Sequence, residues 1–268
     1  MRRLCALYGL SPAGYYAWRK REVSAHAKQD RLLRVAIEKI FDKSHRTYGS
    51  PRIQRTLRAR GILVSERRVA RLMRAAGLRA RVSGLYRSRA ELRRRYTEHR
   101  NLLRRREAKR LNEVWVGDVT YLKVDRHWCY LSTVMDQYSR RVLSWSLGRR
   151  RTTSLTRGVF NAAYRARRPN RLIFHSDRGV EYTAPGFRDR MVALGVRQST
   201  TSGGSPGENA HAESFFHSMK ADVIHGVEFE TDESLRECIR RYVRYYNFER
   251  LHSSLNYQPP VEFERGVA

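Results

Sequence analysis

The chain predicts an α/β fold behind a small, basic, all-α front section, and three observations lead there. Val114-Trp115-Val116-Gly117-Asp118-Val119-Thr120-Tyr121-Leu122 is mostly apolar and β-branched, as a buried strand is. After residue 111, further runs of this kind alternate with helical stretches, the order of a layered α/β unit. Before residue 79 the apolar positions recur at helical spacing.

In the front section, Ser11-Pro12 signals a helix start, and that helix carries Tyr15, Tyr16 and Trp18. A second helix is predicted from about Asp30 to Lys43, with Leu33, Ala36, Ile37, Ile40 and Phe41 on one face. Ser50-Pro51 opens a third, which Gly61 ends. Ser65 caps a fourth, bearing Val69, Leu72, Met73 and Ala76, and Gly77 ends it. Two short helices, a tight turn and a basic outer face have a helix-turn-helix shape. Its first helix carries Arg52 and Arg55; Arg67, Arg68 and Arg71 stand at the front of its second, where DNA contacts are usually made. A solvated arginine face on a small helical bundle is the plain alternative. The organisation expected is a helical region over 1–45, the helix-turn-helix-like module over 46–78, a basic linker over 79–110 and the α/β core over 111–268.

Charge follows the same division. The chain carries 55 Lys+Arg against 26 Asp+Glu, net +29. Residues 1–110 hold 32 basic and 8 acidic residues (net +24), residues 111–231 hold 17 and 12 (net +5), and the rest balances at 6 and 6. A composition bias toward arginine would not produce that gradient, so the front is where a polyanion would bind. Residues 79–110, with 13 basic and 3 acidic residues and weak helical spacing at Leu92, Tyr96 and Leu103, read as a linker or solvated helix ordered by DNA. The three cysteines (Cys5, Cys129, Cys238) are far apart and suggest neither a zinc ribbon nor a disulfide framework, which fits a reducing, cytoplasmic setting. No apolar run reaches about 18 residues, so no membrane span is expected. Pro12, Gly14 and Trp18 come too soon for a signal peptide.

The core is predicted to open with strands at Glu113–Val124, His127–Met135 and Arg141–Leu147, then a helix from Thr152 to about Arg167. A fourth strand leads to Asp177, a helix spans Pro185–Leu194, and a short fifth strand covers Val196–Ser199. The segment Thr200–Gly207 reads as a flexible loop, either an ordinary connector or one that closes over DNA. Asn209–Phe216 reads as a helix. Thr231-Asp232 caps a long helix with the stripe Leu235, Cys238, Ile239, Tyr242, Val243 and Tyr246. Pro259-Pro260 is expected to end regular structure.

The carboxylates in these elements carry the chemistry. Asp118 sits inside a buried strand, where an unpaired charge is costly. Asp177 ends another apolar run, Glu213 lies on a helix, and 35 residues separate the two. Three carboxylates on two strands and a helix suit Mg²⁺, which takes oxygen ligands. Asp136, at a strand end before a turn, reads as a backbone cap rather than a ligand.

These acids, with His175-Ser176-Asp177-Arg178-Gly179, Asn209-Ala210, Glu213-Ser214-Phe215-Phe216 and Tyr246-Asn247…Arg250…His252-Ser253-Ser254-Leu255, resemble transposases of the IS-three type of insertion sequence, second-frame (OrfB) product. The resemblance covers nearly the whole chain. It departs at Glu208, where the family commonly has Asp, and the acid is kept. It implies an RNase H-like integrase core, with a mixed five-stranded sheet and flanking helices, behind a helix-turn-helix module that starts near Tyr48-Gly49. Asp118, Asp177 and Glu213 would be catalytic and hold two Mg²⁺ ions, with Mn²⁺ as substitute. Asp118 would touch both ions. Arg178 and Lys220 would contact DNA, with His175 and Asn209 in support; for His175 a purely structural role is the alternative. The activity implied is strand cleavage at the element's ends and transfer of the 3′-OH into target DNA. Partners implied are the terminal inverted repeats, target DNA, further copies of the chain associating on paired ends, and a first-frame (OrfA) product carrying another helix-turn-helix and a zipper, no heptad segment being present here. A metal-dependent nuclease on the same fold, or an inactive DNA-binding protein derived from a transposase, are the competing readings.

Overall fold

A computed structural model of the chain describes residues 1–20, 24–80, 101–103, 107–201 and 209–267. Residue contacts divide the chain into two units, Met1–Ala80 and Arg81–Ala268. Leu92 and Tyr96 of the basic connector, and most of the loop before Glu213, lie outside the described residues.

The first unit is all helical. Two short helices, α1 (Arg2–Leu7) and α2 (Pro12–Lys20), precede α3 (Ala25–Lys43), α4 (Ser50–Ala59) and α5 (Glu66–Ala75). Helix α3 starts five residues earlier than the sequence pattern marked, because Ser24 accepts the Ala27 N–H and caps it. Ser65 caps α5 in the same way, through Arg68 N–H. Gly61 and Gly77 take φ of +78° and +68° after the two helices, the left-handed conformation that glycine adopts without strain. Ile37, Ile40, Phe41, Ile53, Leu57, Val69, Leu72 and Met73 are buried and form this unit's core.

The second unit is built on one five-stranded sheet. Its strands are β1 (Val114–Val124), β2 (His127–Asp136), β3 (Val142–Gly148), β4 (Ile173–Ser176) and β5 (Arg197–Thr200), ordered β3-β2-β1-β4-β5. β1, β2 and β3 pair antiparallel, while β4 and β5 run parallel to β1. This mixed sheet is RNase H-like, as expected. One face packs Trp115, Val134, Phe160, Phe174, Tyr182 and Phe187 under α6 (Thr153–Arg167) and two short helices, α7 (Val180–Thr183) and α8 (Pro185–Ala193). The other packs Val116, Leu122, Leu131 and Met135 under α9 (Ala210–Met219) and α10 (Asp232–Phe248). Leu103, from the basic stretch, packs with Val114 and Ile173 at the sheet's lower end.

In the second unit, three helical elements differ from the sequence reading. Helix α7 has four residues, too few to show a period. Helix α9 continues into a π-helical turn, Lys220–Ile224, which apolar spacing does not announce. Pro259-Pro260 does not end regular structure: Pro260 starts helix α11 (Pro260–Val267), where its fixed φ suits the first turn and its missing N–H costs nothing. That helix is held by buried Glu264, which accepts hydrogen bonds from Ser139, Arg141 and Arg167.

Candidate active site

Strand pairing brings the two aspartates together. β1 and β4 run side by side to the pair Gly117–Ser176, so Asp118 and Asp177 are each the next residue along. Gly117 is required there: a Cβ would run into the Phe174 ring beneath it. Asp118 Oδ1 accepts the Val119 N–H at 2.8 Å, and Asp177 Oδ1 accepts the Gly179 N–H at 3.0 Å.

Glu213 enters from the helix side. It is exposed, in the first turn of α9. Asn209, buried at the start of that helix, donates its side-chain N–H to Gly117 O at 3.3 Å and so ties α9 to the residue before Asp118.

The electrostatics record the crowding. Burial first, then the negative charges of Asp177 and Glu213, push the Asp118 carboxyl up to about 7. Burial also raises Asp177, against the pull of the Gly179 N–H. Burial lowers Lys220, while the nearby Asp118 pulls it the other way; its Nζ stands 4.9 Å from the centre of the Tyr121 ring. All-oxygen carboxylate donors that repel one another fit a divalent cation between them.

Arg151 is the residue that the sequence concealed. It stands before the Thr152 cap of α6, reaches Asp177 Oδ2 at 3.6 Å, and donates from Nε to Glu181 Oε1 at 2.6 Å. Glu181 and Tyr182, on α7, are buried behind the aspartates. Burial, and then the Asp118 and Asp177 charges, hold the Tyr182 hydroxyl well above its usual value. The only sequence signal was Glu-Tyr following closely on the Asp177 word.

The other expected residues fall in distinct places. His175 is fully buried with Nδ1 2.9 Å from Ser199 Oγ, a bracing position between β4 and β5. Arg178 donates to Thr201 O at 2.7 Å, tying β4's end to β5's. Asp136 accepts N–H groups from Asn112, Tyr138 and Ser139, as a cap does. In the first unit Arg55 and Arg67 are exposed, and Arg52 lies over the Tyr48 ring. Arg68 and Arg71 both hold Asp30, at 2.8 and 2.6 Å.

Elsewhere, His127, Cys129 and Asp232 bring three potential ligand atoms within 4.8 Å. Among the described residues the three acids are not within that mutual reach. Arg149 already engages the Asp232 carboxylate.

Residues 108–206 and 194–260 match models of the integrase core domain, and residues 28–86 match an HTH-like domain. The fold and these matches define a protein of the integrase and transposase class, in general enzymes of nucleotidyl transfer. Transposase InsF for insertion sequence IS3A, from Escherichia coli K12, is 32% identical over 269 residues, covering 98% of this chain and 93% of that protein. The insertion element IS600 uncharacterized 31 kDa protein of Shigella sonnei is 32% identical over 97% of both chains. The chain belongs to the IS3 family of insertion-sequence transposases. Among solved structures, the HTLV-2 integrase catalytic core domain in complex with magnesium is 18% identical with a TM-score of 0.45, over 57% of this chain and 96% of that one. The catalytic domain of Mos1 mariner transposase is also 18% identical, with a TM-score of 0.45 over 58% and 76%. No helix among the described residues is long and apolar enough to cross a membrane.

Proposed function

We propose that the chain catalyses metal-dependent strand cleavage at the ends of its insertion sequence and transfer of the freed 3′-OH into target DNA. The observation that carries this reading is the side-by-side placement of Asp118 and Asp177 at the β1 and β4 ends, with Glu213 carried to them by α9. Asp118, Asp177 and Glu213 are the catalytic residues and would hold two Mg²⁺ ions, or Mn²⁺ in their place. Such ions would activate the attacking hydroxyl and stabilise the leaving oxygen of an in-line displacement.

The remaining residues prepare the site. Gly117 and Phe174 fix the strand on which Asp118 is carried. Asn209 sets the start of the Glu213 helix, and His175 braces β4 from behind. Arg151 holds the Asp177 carboxylate against Glu181, limiting its rotation. Lys220 and Arg178 supply positive charge for the DNA backbone. In the first unit Arg52, Arg55 and Arg67 would meet phosphates. Arg68 and Arg71, shared with Asp30, would do so only by exchanging that carboxylate for a phosphate. A protein that contacts roughly 6–10 phosphates loses on the order of a thousandfold in affinity between low and moderate salt.

The DNA is proposed to be the element's terminal inverted repeats and a target duplex, bound by the 46–78 module and the basic 79–110 stretch. Copies of the chain would associate on paired ends, together with a first-frame product, in the bacterial cytoplasm at the nucleoid.

Strand transfer is the step that separates this reading from a simple nuclease. A duplex whose element end already carries a recessed 3′-OH is mixed with plasmid and Mg²⁺. Joined products that vanish with Asp177→Asn and Glu213→Gln support the proposal. Hydrolysis without any joined product would assign the chain to the nucleases.

A further inference from the structure

The hairpin that carries Asp118 also carries exposed aromatic surface that the catalytic reading does not use. Past Gly117, β1 outruns β4, so Asp118–Val124 pairs with β2 alone. On the outer face of this free stretch, Tyr121 is 60% and Trp128 49% exposed. Tyr121 pairs with Tyr130 and Lys123 pairs with Trp128, which makes Tyr121 and Trp128 diagonal neighbours on one face. Their ring centres lie 5.2 Å apart at 84°. Lys123 and Arg126, beside them, are exposed.

Lys220 joins this face to the acids. Its Nζ is 4.9 Å from the Tyr121 ring centre, and the same ammonium feels the Asp118 charge. Tyr121 is three residues from Asp118, about 10 Å along an extended strand. An edge-to-face pair stabilises a hairpin by itself, which accounts for the contact between the rings. It does not account for Lys220, which reaches the Tyr121 ring and feels the Asp118 charge, or for exposed Lys123 opposite Trp128 on the same face as the two wet rings. Flat π-surface with backbone-neutralising charge is the chemistry of a single-strand subsite, where bases stack and cations follow the phosphates.

We propose that Tyr121 and Trp128 form a stacking platform for an unpaired nucleobase of the strand whose phosphodiester lies at Asp118, with Lys220 and Lys123 meeting the adjoining phosphates. The proposal rests on the reading of the acids as a DNA-processing site. It gives that site a preference for ends whose last base pairs are open.

The test uses the full chain, a chelator to prevent cleavage, and fluorescence anisotropy with two labelled duplexes, one blunt and one with a short unpaired tail. The native chain is expected to bind the tailed duplex about tenfold more tightly, the worth of one well-stacked base. A tail of abasic residues, with the same phosphates, should lose that advantage. Tyr121→Ala with Trp128→Ala should abolish it and leave blunt-duplex affinity unchanged. Tyr121→Phe with Trp128→Phe should restore it, because the π-faces remain. Equal binding of both duplexes by the native chain, an undiminished preference in the double alanine variant, or an abasic tail that binds as well as a normal one would each overturn the proposal. The cleavage reading fails separately. A chain that prefers tailed ends but never cuts keeps the platform and loses the transposition chemistry; a chain that cuts without the preference does the reverse.

Discussion

Arg250 directs its Nε at the carboxylate of Asp222, 3.4 Å away, and both side chains are sealed from water. Asp222 lies on the π-helical turn that continues the Glu213 helix; Arg250 belongs to the tail that follows α10. Tyr242 adds its hydroxyl to the same carboxylate at 2.9 Å. The tail word Tyr246…Arg250…His252 thus acts on the site at one remove, by fixing the segment that presents Glu213 and Lys220. Replacing Arg250 by Met strands the Asp222 charge. Removing one partner of a buried pair costs about 3 kcal/mol or more. Urea denaturation should show that loss, and a change within about 0.5 kcal/mol would mean the pair is incidental.

Gly117→Ala should do more harm than its size suggests. The added methyl meets the Phe174 ring, and overpacking of this kind costs about 1–3 kcal/mol. Because the displaced residue precedes Asp118, cleavage should fall further than stability does. Phe174→Leu in the same chain should recover part of both. Recovery of stability without any recovery of cleavage would show that Gly117 matters for another reason.

Asp136 offers a control carboxylate. It is buried and accepts three backbone N–H groups, so Asp136→Ala should cost at least about 2 kcal/mol in thermal or chemical unfolding. Asp136→Asn keeps an acceptor oxygen and should cost less. Neither change should alter the metal dependence of the remaining folded enzyme. A shifted Mg²⁺ requirement in Asp136→Asn would place this residue among the ligands after all.

Glu264 predicts a pH effect with a definite sign. Burial by itself would raise its carboxyl; the hydrogen bonds from Arg167 and Arg141 outweigh burial and hold it below the usual carboxylate value. A carboxyl lowered in the folded state stabilises the fold above its unfolded pKa, near 4.3, and that stability disappears as pH falls through the lower folded value. Glu264→Gln should therefore be less stable than the native chain at neutral pH and show a shallower loss on acidification. Parallel stability curves from pH 7 down to about pH 3 would contradict this.

How much of this the sequence shows depends on the range of each interaction. Apolar residues mark the first four strands because burial selects them locally, while β5, Arg197-Gln198-Ser199-Thr200, carries no such run. Asp118 stands out because a carboxylate inside a buried strand is expensive and needs a reason; Asp177 and Glu213 stand out by their spacing and by the family-like words around them. Contacts between distant residues leave no local trace. Asp30 takes up Arg68 and Arg71 from 38 and 41 residues away, so an arginine face that looks unengaged is partly engaged. Arg151 sits in a run of arginines, and nothing in that run marks which one turns toward Asp177. Pro260 carried two meanings, helix stop and helix start, and only its neighbours in space decide between them.

The most direct test of the central claim is cleavage of a labelled duplex bearing the element's own end, with Mg²⁺ or Mn²⁺, by the native chain and by Asp118→Asn. The account predicts nicking at the end with the native chain, none with the variant and none in a chelator, at equal DNA binding. Nicking that persists in Asp118→Asn, or that needs no metal, would contradict it.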